Sequence, residues 1–265
     1  MSVGTIAVVI PAHNEEALLP AALNAIAVAG RHPDLAGVRV VTVVVADSCR
    51  DRTAEVARRS GALVVTTNVR NPGRARAAGV GRALRAVGNP ADPAVPADPA
   101  DLADPAASAD PAVAARETDG TWIAVTDADS VVPPHWLAYH LARAAEGWEA
   151  VVGTVSLPVT APASLAARHD VRYAATRPSD GSPWRHPHIH GANLGLTAAA
   201  YRAIGGFPPL HVGEDRALVA ALDAGGHRVL RTEDCPVRTS ARLRARARGG
   251  FGDHLAGLLT PGGRP

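Results

Sequence analysis

Val38 to Ala46 reads Val-Arg-Val-Val-Thr-Val-Val-Val-Ala, an almost unbroken apolar run with no strict polar alternation. β-Branched side chains suit a pleated surface, and a strand that is apolar on both faces must be covered on both. Thr5 to Ile10, stopped by Pro11, and Trp122-Ile123-Ala124-Val125-Thr126 are shorter runs of the same kind. Between them, Glu15 to Val28, Arg52 to Ser60 and Arg74 to Val87 carry helical periodicity, and Ala62 to Thr66 reads as another strand. This β-α-β-α order predicts an α/β fold, a mostly parallel sheet flanked by helices. Ligands then bind outside the carboxyl ends of the strands.

The chain has 265 residues and is 47% hydrophobic, enough for one large α/β core or two small ones. A net charge of +2 and only 3% aromatic residues argue against a nucleic-acid surface or a base-stacking platform. The basic residues are uneven: Arg238, Arg242, Arg244, Arg246 and Arg248 crowd one late segment, which favours a local anionic ligand. Cys49 and Cys235 are too few for a disulfide framework or a zinc cage and fit a reducing compartment. No apolar run approaches the ~20 residues of a membrane span, and Met1 to Ile10 lacks a signal-like pattern. A cytoplasmic location is therefore expected, which leaves room for peripheral membrane contact.

From Gly88 to Gly120 the pattern gives way to Asp-Pro and Ala repeats. Prolines remove backbone donors, and few large apolar groups are present to offset ordering entropy, so residues 88–120 are expected to be a disordered insertion. It interrupts a helix-to-strand connection, because the strand at Trp122 is needed to complete the sheet. Beyond it, a helix from Pro133 to Glu146, a strand from Ala150 to Leu157 and a helix from Ser164 to Thr176 are expected. They are followed by a Pro- and His-rich loop from Arg177 to His190, a helix from Glu214 to Ala224 and a strand from Arg228 to Arg231. The whole is read as one domain over residues 1–265, with a ligand-binding half up to residue 130 and a second half from residue 131.

Asp127-Ala128-Asp129-Ser130 follows the third apolar run directly. Two carboxylates at a buried strand tip need compensation, which a divalent ion holding a diphosphate would supply, since Mg²⁺ and Mn²⁺ share their sphere with substrate phosphates. Helix capping or a solvated turn is the competing reading. In Pro11-Ala12-His13-Asn14-Glu15-Glu16, Asn14 is placed to cap a helix and the acids to complement its dipole. In Asp47-Ser48-Cys49-Arg50-Asp51-Arg52-Thr53, Asp51 caps the next helix, leaving Asp47 without a local task, where it could accept hydrogen from a base. His186, His188 and His190 alternate along an extended segment and would face one side, although Pro187 and the lack of nearby cysteine argue against a closed zinc site. A polar binding loop or a solvated loop fits equally.

Pro-Ala-His-Asn-Glu-Glu after the first strand, Ala-Asp-Ser-Cys-Arg-Asp-Arg-Thr after the second and Asp-Ala-Asp after the fourth, with Gly213-Glu214-Asp215 further on, resemble the family 2 glycosyltransferases with a GT-A fold. The resemblance implies transfer of a sugar from a nucleotide diphosphate sugar, a UDP- or GDP-sugar, with Mg²⁺ or Mn²⁺. It places Pro11, Ala12, Asn14 and Glu15 around the nucleotide, with Asp47 on the base and Arg74 beside the nucleotide unless it is a solvated helix residue. It makes Asp129 the metal ligand, with Ala128 between the two acids and Asp127 toward the ribose or a metal-bound water.

Gly191, Ala192 and Asn193 resemble the tract that faces donor and acceptor. Asp215, with Glu214 next, resembles the general base of inverting members; as a plain helix start, both would only complement the dipole. His254 stands where some relatives draw a third metal ligand. If the segment after Val237 is helical, Arg242 and Arg246 lie one turn apart and could clamp a diphosphate. It lacks the Gln-x-x-Arg-Trp signature of processive members. A retaining enzyme like glucosyl-3-phosphoglycerate synthase, a sugar-phosphate nucleotidyltransferase and a non-catalytic nucleotide-sugar-binding protein are the alternatives.

Overall fold

The computed structural model describes residues 2–88, 120–245 and 249–259. The expected insertion at 88–120 lies, except for its two end glycines, outside the described residues, as does Arg246. Along the chain come β1 (Thr5–Ala12), α1 (Leu19–Ala29), a 3₁₀ turn (Pro33–Leu35), β2 (Arg39–Asp47), α2 (Thr53–Arg59), β3 (Leu63–Thr67) and α3 (Pro72–Gly88). They continue with β4 (Thr121–Val125), β5 (Ser130–Val131), α4 (Trp136–Ala145), β6 (Ala150–Ser156), α5 (Ala163–Ala174), β7 (Leu194–Thr197), α6 (Ala198–Ala203), α7 (Glu214–Ala224), β8 (Val229–Thr239) and α8 (Phe251–Leu259).

The eight strands of the described residues share one sheet, in the order β3-β2-β1-β4-β7-β6-β8-β5. The first four are parallel, with Ile6 of β1 in register with Val40 on one side and Trp122 on the other. Alternate residues of β2 go to opposite faces: Val43 and Val45 pack with Val80 and Ala83 of α3 and Leu218 of α7, while Val44 packs with Leu19 and Ile26 of α1. Both faces are thus covered, which is what the valine run required. Among the described residues no helix is long and apolar enough to cross a membrane.

The second half departs from the expected pattern in identifiable places. The tract around Gly195 forms the central antiparallel strand β7, and the strand expected at Arg228 to Arg231 continues to Thr239. Gly153 pairs with Thr232 but Val155 with Val237, so β8 bulges outward between them, which accommodates Pro236 within a paired strand. The first helix starts at Leu19 and not at Glu15, with Pro20 in its first turn.

Gly195 is required by its neighbours. A Cβ there would lie 2.5 Å from the His140 ring and 2.6 Å from Trp122 Nε1. His140 is fully buried, edge-on to Trp136 at 5.0 Å, and neither ring nitrogen has a hydrogen-bond partner among the described residues. Burial pushes its imidazole down to about 3 from an ordinary 6.5, so the folded chain holds it neutral while the unfolded chain protonates below pH 6.5. Stability should therefore fall as pH drops from about 6.5 toward 3, by up to ~1.4 kcal/mol per pH unit from this residue. In urea unfolding, His140→Leu is expected to shrink the loss between pH 7.5 and 5 by up to about 2 kcal/mol; an unchanged loss would refute the assignment.

Candidate active site

The strand tips open into a cleft of about 1710 Å³, whose floor includes Ala12, Asp47, Asp127 and Asp129. The loops after β1 and β2 interlock beside it. Glu15 N–H donates to Thr53 Oγ1 at 2.8 Å, Glu16 N–H to Asp51 Oδ2 at 3.0 Å, and Arg50 N–H to Asn14 Oδ1 at 2.8 Å. Asp51 also accepts from the Thr53 amide at 3.0 Å, but the N-cap of α2 is Arg52 with no side-chain cap, so Asp51 stands one residue before the capping position expected of it. Asn14 does not cap α1: it sits at φ 54° and ties one loop to the other, because Pro20 sets the helix start further on.

Asp47 is not left without a task. Its Oδ1 accepts from the Thr67 hydroxyl at 3.0 Å and from the amides of Val69 and Arg70 at 2.8 and 3.1 Å, and its Oδ2 accepts from Asn71 N–H at 3.0 Å. The carboxylate folds the 69–71 turn, so that Arg70, Asn71 and Pro72 line the cleft. Arg74 is exposed and outside the lining; its amide is capped by Asn71 Oδ1 at 2.9 Å. The inward arginine is Arg76, which sequence reasoning missed. One signal was available: Arg76, Val80 and Ala83 share the buried stripe of α3, and a charge within such a stripe implies a buried partner.

Arg76 has two partners. With its side chain only 6% exposed, Nη2 lies 2.7 Å from Asp127 Oδ1, and Nη1 donates to Glu214 Oε1 in a short contact. Burial lowers its pKa, but Asp127, Glu214 and Asp215 outweigh that, and the group stays charged. Gly191 makes room: a Cβ there would sit 2.3 Å from Nη2. The amide of Gly191 in turn donates to Asp215 Oδ2 at 2.9 Å, fixing this half-buried acid at the start of α7.

Ala192 lines the cleft, but Asn193 does not. Its amide nitrogen donates to Thr154 O and Cys235 O at 2.8 and 2.9 Å, and its Oδ1 accepts from Trp136 Nε1 at 2.9 Å, which ties the residue before β7 to two strands and a helix. Asn193 is therefore a core residue, contrary to its expected place beside the sugar.

Asp129 accepts from the Ser240 hydroxyl in a short contact and lies 3.0 Å from Arg242 Nη2. Arg242 Nη1 lies 2.6 Å from Glu15 Oε1. The segment 240–245 after β8 is not helical, so the proposed Arg242–Arg246 helical clamp is not what brings Arg242 to the site. His254 lines the cleft but stacks on Phe251 at 5.9 Å, and no trio of His, Cys, Asp or Glu among the described residues could hold a metal. It is thus not assembled with the two aspartates into a metal site.

The aspartate pair itself suits a hard cation completed by substrate oxygens. Asp127 is 34% exposed toward the cleft, and its Oδ2 makes no hydrogen bond among the described residues. Burial, offset in part by Arg76 and reinforced by Asp129, Glu214 and Asp215, raises its pKa to about 6. The clustered carboxylates exceed the positive charge beside them, the imbalance that a divalent cation corrects.

Also lining the cleft, the ring of Tyr173 lies parallel to His188 at 3.8 Å, and its hydroxyl is 2.6 Å from His190 Nε2. Burial lowers His188 to about 4 and His190 to about 3, so both present neutral imidazoles. His186 turns away, with Nε2 3.1 Å from Thr232 O, and the three histidines do not share a face toward the cleft.

The model of the family described as Glycosyltransferase like family 2 matches residues 4–247. No curated protein matches the chain. Among solved structures, the mannosyltransferase PcManGT from Pyrobaculum calidifontis, in complex with GDP-Man and Mn²⁺, is 18% identical with a TM-score of 0.55, over 93% of this chain and 59% of that one. S. aureus TarS is 14% identical with a TM-score of 0.56, over 96% of this chain and 42% of that one. A TarS 1-349 complex with UDP is 15% identical with a TM-score of 0.55, over 96% and 69%. This chain thus spans well under two thirds of the first two proteins, and at such identities the likeness shows the fold. With the family match over most of its length, the chain belongs to glycosyltransferase family 2, a glycosyltransferase built on the GT-A fold.

Proposed function

We propose that the chain transfers a sugar from a nucleotide diphosphate sugar to an acceptor hydroxyl with inversion at the anomeric carbon. One observation carries this reading: Arg76 draws together acids from two remote segments, Asp127 and Glu214, and Gly191 adds Asp215, all beside the loops after β1 and β2. The GDP-Man and Mn²⁺ held by the Pyrobaculum enzyme and the UDP held by TarS support a nucleotide-sugar donor and a divalent metal here.

The loops of Pro11, Ala12, Asn14 and Glu15 and the turn folded by Asp47 would border the nucleotide, its base meeting the 70–72 backbone. Asp129 and Asp127 would hold Mg²⁺ or Mn²⁺, which when bound neutralises the departing diphosphate. Arg242 adds a second positive group to that end. Asp215, half-buried in the cleft and steadied by the Gly191 amide, would take the acceptor hydroxyl proton as that oxygen bonds to the anomeric carbon. Glu214, buried against Arg76, would position that guanidinium. The neutral Tyr173, His188 and His190 group fits the acceptor end, and the setting proposed is the cytoplasm.

Asp215→Asn is expected to cut kcat by ~10²–10⁴-fold with the nucleotide still bound. Asp129→Ala should remove the Mn²⁺-dependent part of the thermal shift given by UDP or GDP; full retention would sink the metal role. Proton NMR of the first-formed product should show the anomer opposite to the donor's, and the same anomer would rule out single displacement. Arg76→Met should destabilise the fold by about 3–5 kcal/mol, because Glu214 and Asp127 are left unpaired; denaturant curves within 1 kcal/mol of the parent would contradict the bridge.

A further inference from the structure

Each acid of the Asp127 and Asp129 pair faces its own arginine, and the two arginines are held differently. Arg76 issues from a helix, is gripped on its far side by Glu214 and is walled in by Gly191. Arg242 issues from a non-helical segment, is 29% exposed, and bridges two largely buried carboxylates, Glu15 after β1 and Asp129 after β4. Asp129 Oδ2 already receives the Ser240 hydroxyl and one arm of that guanidinium. A divalent cation on Asp129 would sit against Arg242 Nη2, and two positive groups at contact distance repel. Arg76 is buried in a helix and closed in by the 191 backbone, whereas Arg242 is partly exposed on a non-helical segment and can release one arm and keep the other.

We propose that Arg242 and a divalent cation compete for Asp129, and that the guanidinium displaced from Asp129, still tethered to Glu15, grips the diphosphate of the donor. The inference rests on the donor and metal reading of this cleft and adds a specific exchange to it. A guanidinium that loses one carboxylate partner regains an anionic one when a diphosphate arrives, in the two-pronged geometry that arginine favours. Metal and nucleotide then assist each other beyond any direct contact between them, since the metal frees the arm that the nucleotide uses. By linkage the nucleotide must strengthen metal binding by the same factor.

Mn²⁺ binding, followed by the electron paramagnetic resonance of the free ion, tests this in the parent, Arg242→Gln and Arg242→Lys, with and without UDP or GDP. Without nucleotide, Arg242→Gln is expected to bind Mn²⁺ about fivefold more tightly than the parent, as removal of a partly exposed ion pair implies. With saturating Mn²⁺, its affinity for the nucleoside diphosphate should fall about tenfold, the loss of one charged hydrogen-bonding pair. Arg242→Lys, which keeps the charge and loses the fork, should lie between them. Melting temperatures of the unliganded variants near that of the parent establish that they fold. Equal Mn²⁺ affinity in parent and Arg242→Gln overturns the competition, and equal nucleotide affinity overturns the grip on the diphosphate. Failure of the parent to bind Mn²⁺ with either nucleotide would overturn the underlying site reading instead, with Asp129→Ala then indistinguishable from the parent.

Discussion

A buried arginine between carboxylates is the interaction on which the cleft depends. Asp127 comes from the tip of the fourth strand and Glu214 from the start of a helix far along the chain, and like charges drawn to one place repel unless something intervenes. Arg76 intervenes at 2.7 Å from one and in short contact with the other. It also explains why Gly191 is a glycine, since any side chain there would meet the guanidinium. A single positive group thus sets the spacing of the acids, the path of the 190–192 chain and, through the Gly191 amide, the orientation of Asp215.

The turn at the β2 end of the cleft shows the same economy in backbone form. One carboxylate, Asp47, receives three amides from the turn at 69–71 and so fixes a stretch that the sheet itself does not reach. The carboxylate serves as scaffold, and the turn it shapes meets the cleft. Asp47 itself also lines the cleft, beside the Arg70, Asn71 and Pro72 that its hydrogen bonds hold in place.

The parallel half was legible because β-branched runs such as Val38 to Ala46 leave few alternatives, and the two aspartates were legible from their position at a strand end. What escaped depended on distant partners. Arg76 and Arg74 differ by two positions, and only contacts 51 and 138 residues away decide which turns inward. Asn193 looked like a ligand-facing amide because a buried polar side chain and a binding one have the same formula; its donors and acceptor are consumed by Thr154, Cys235 and Trp136. β7 and the far end of β8 were obscured by Gly195 and Pro236, residues that break strand patterns locally and are tolerated here for a close aromatic contact and a bulge. The late arginines were legible as a cluster, while their non-helical path was not.

The two-residue strand β5 is the smallest element of the sheet. Ser130 is in register with Thr239, and their hydroxyls are joined at 2.9 Å. Asp129 immediately precedes one of these residues and Ser240 immediately follows the other, so Asp129 and the hydroxyl it accepts from are both anchored by the same short ladder. Any change of partner by Arg242 can then proceed by rotation about side-chain bonds without opening the backbone. Rotations of exposed side chains take picoseconds to nanoseconds, against microseconds or longer for a loop that must swing as a body. An exchange confined to the side chain leaves the backbone that carries Asp129 and Ser240 in place.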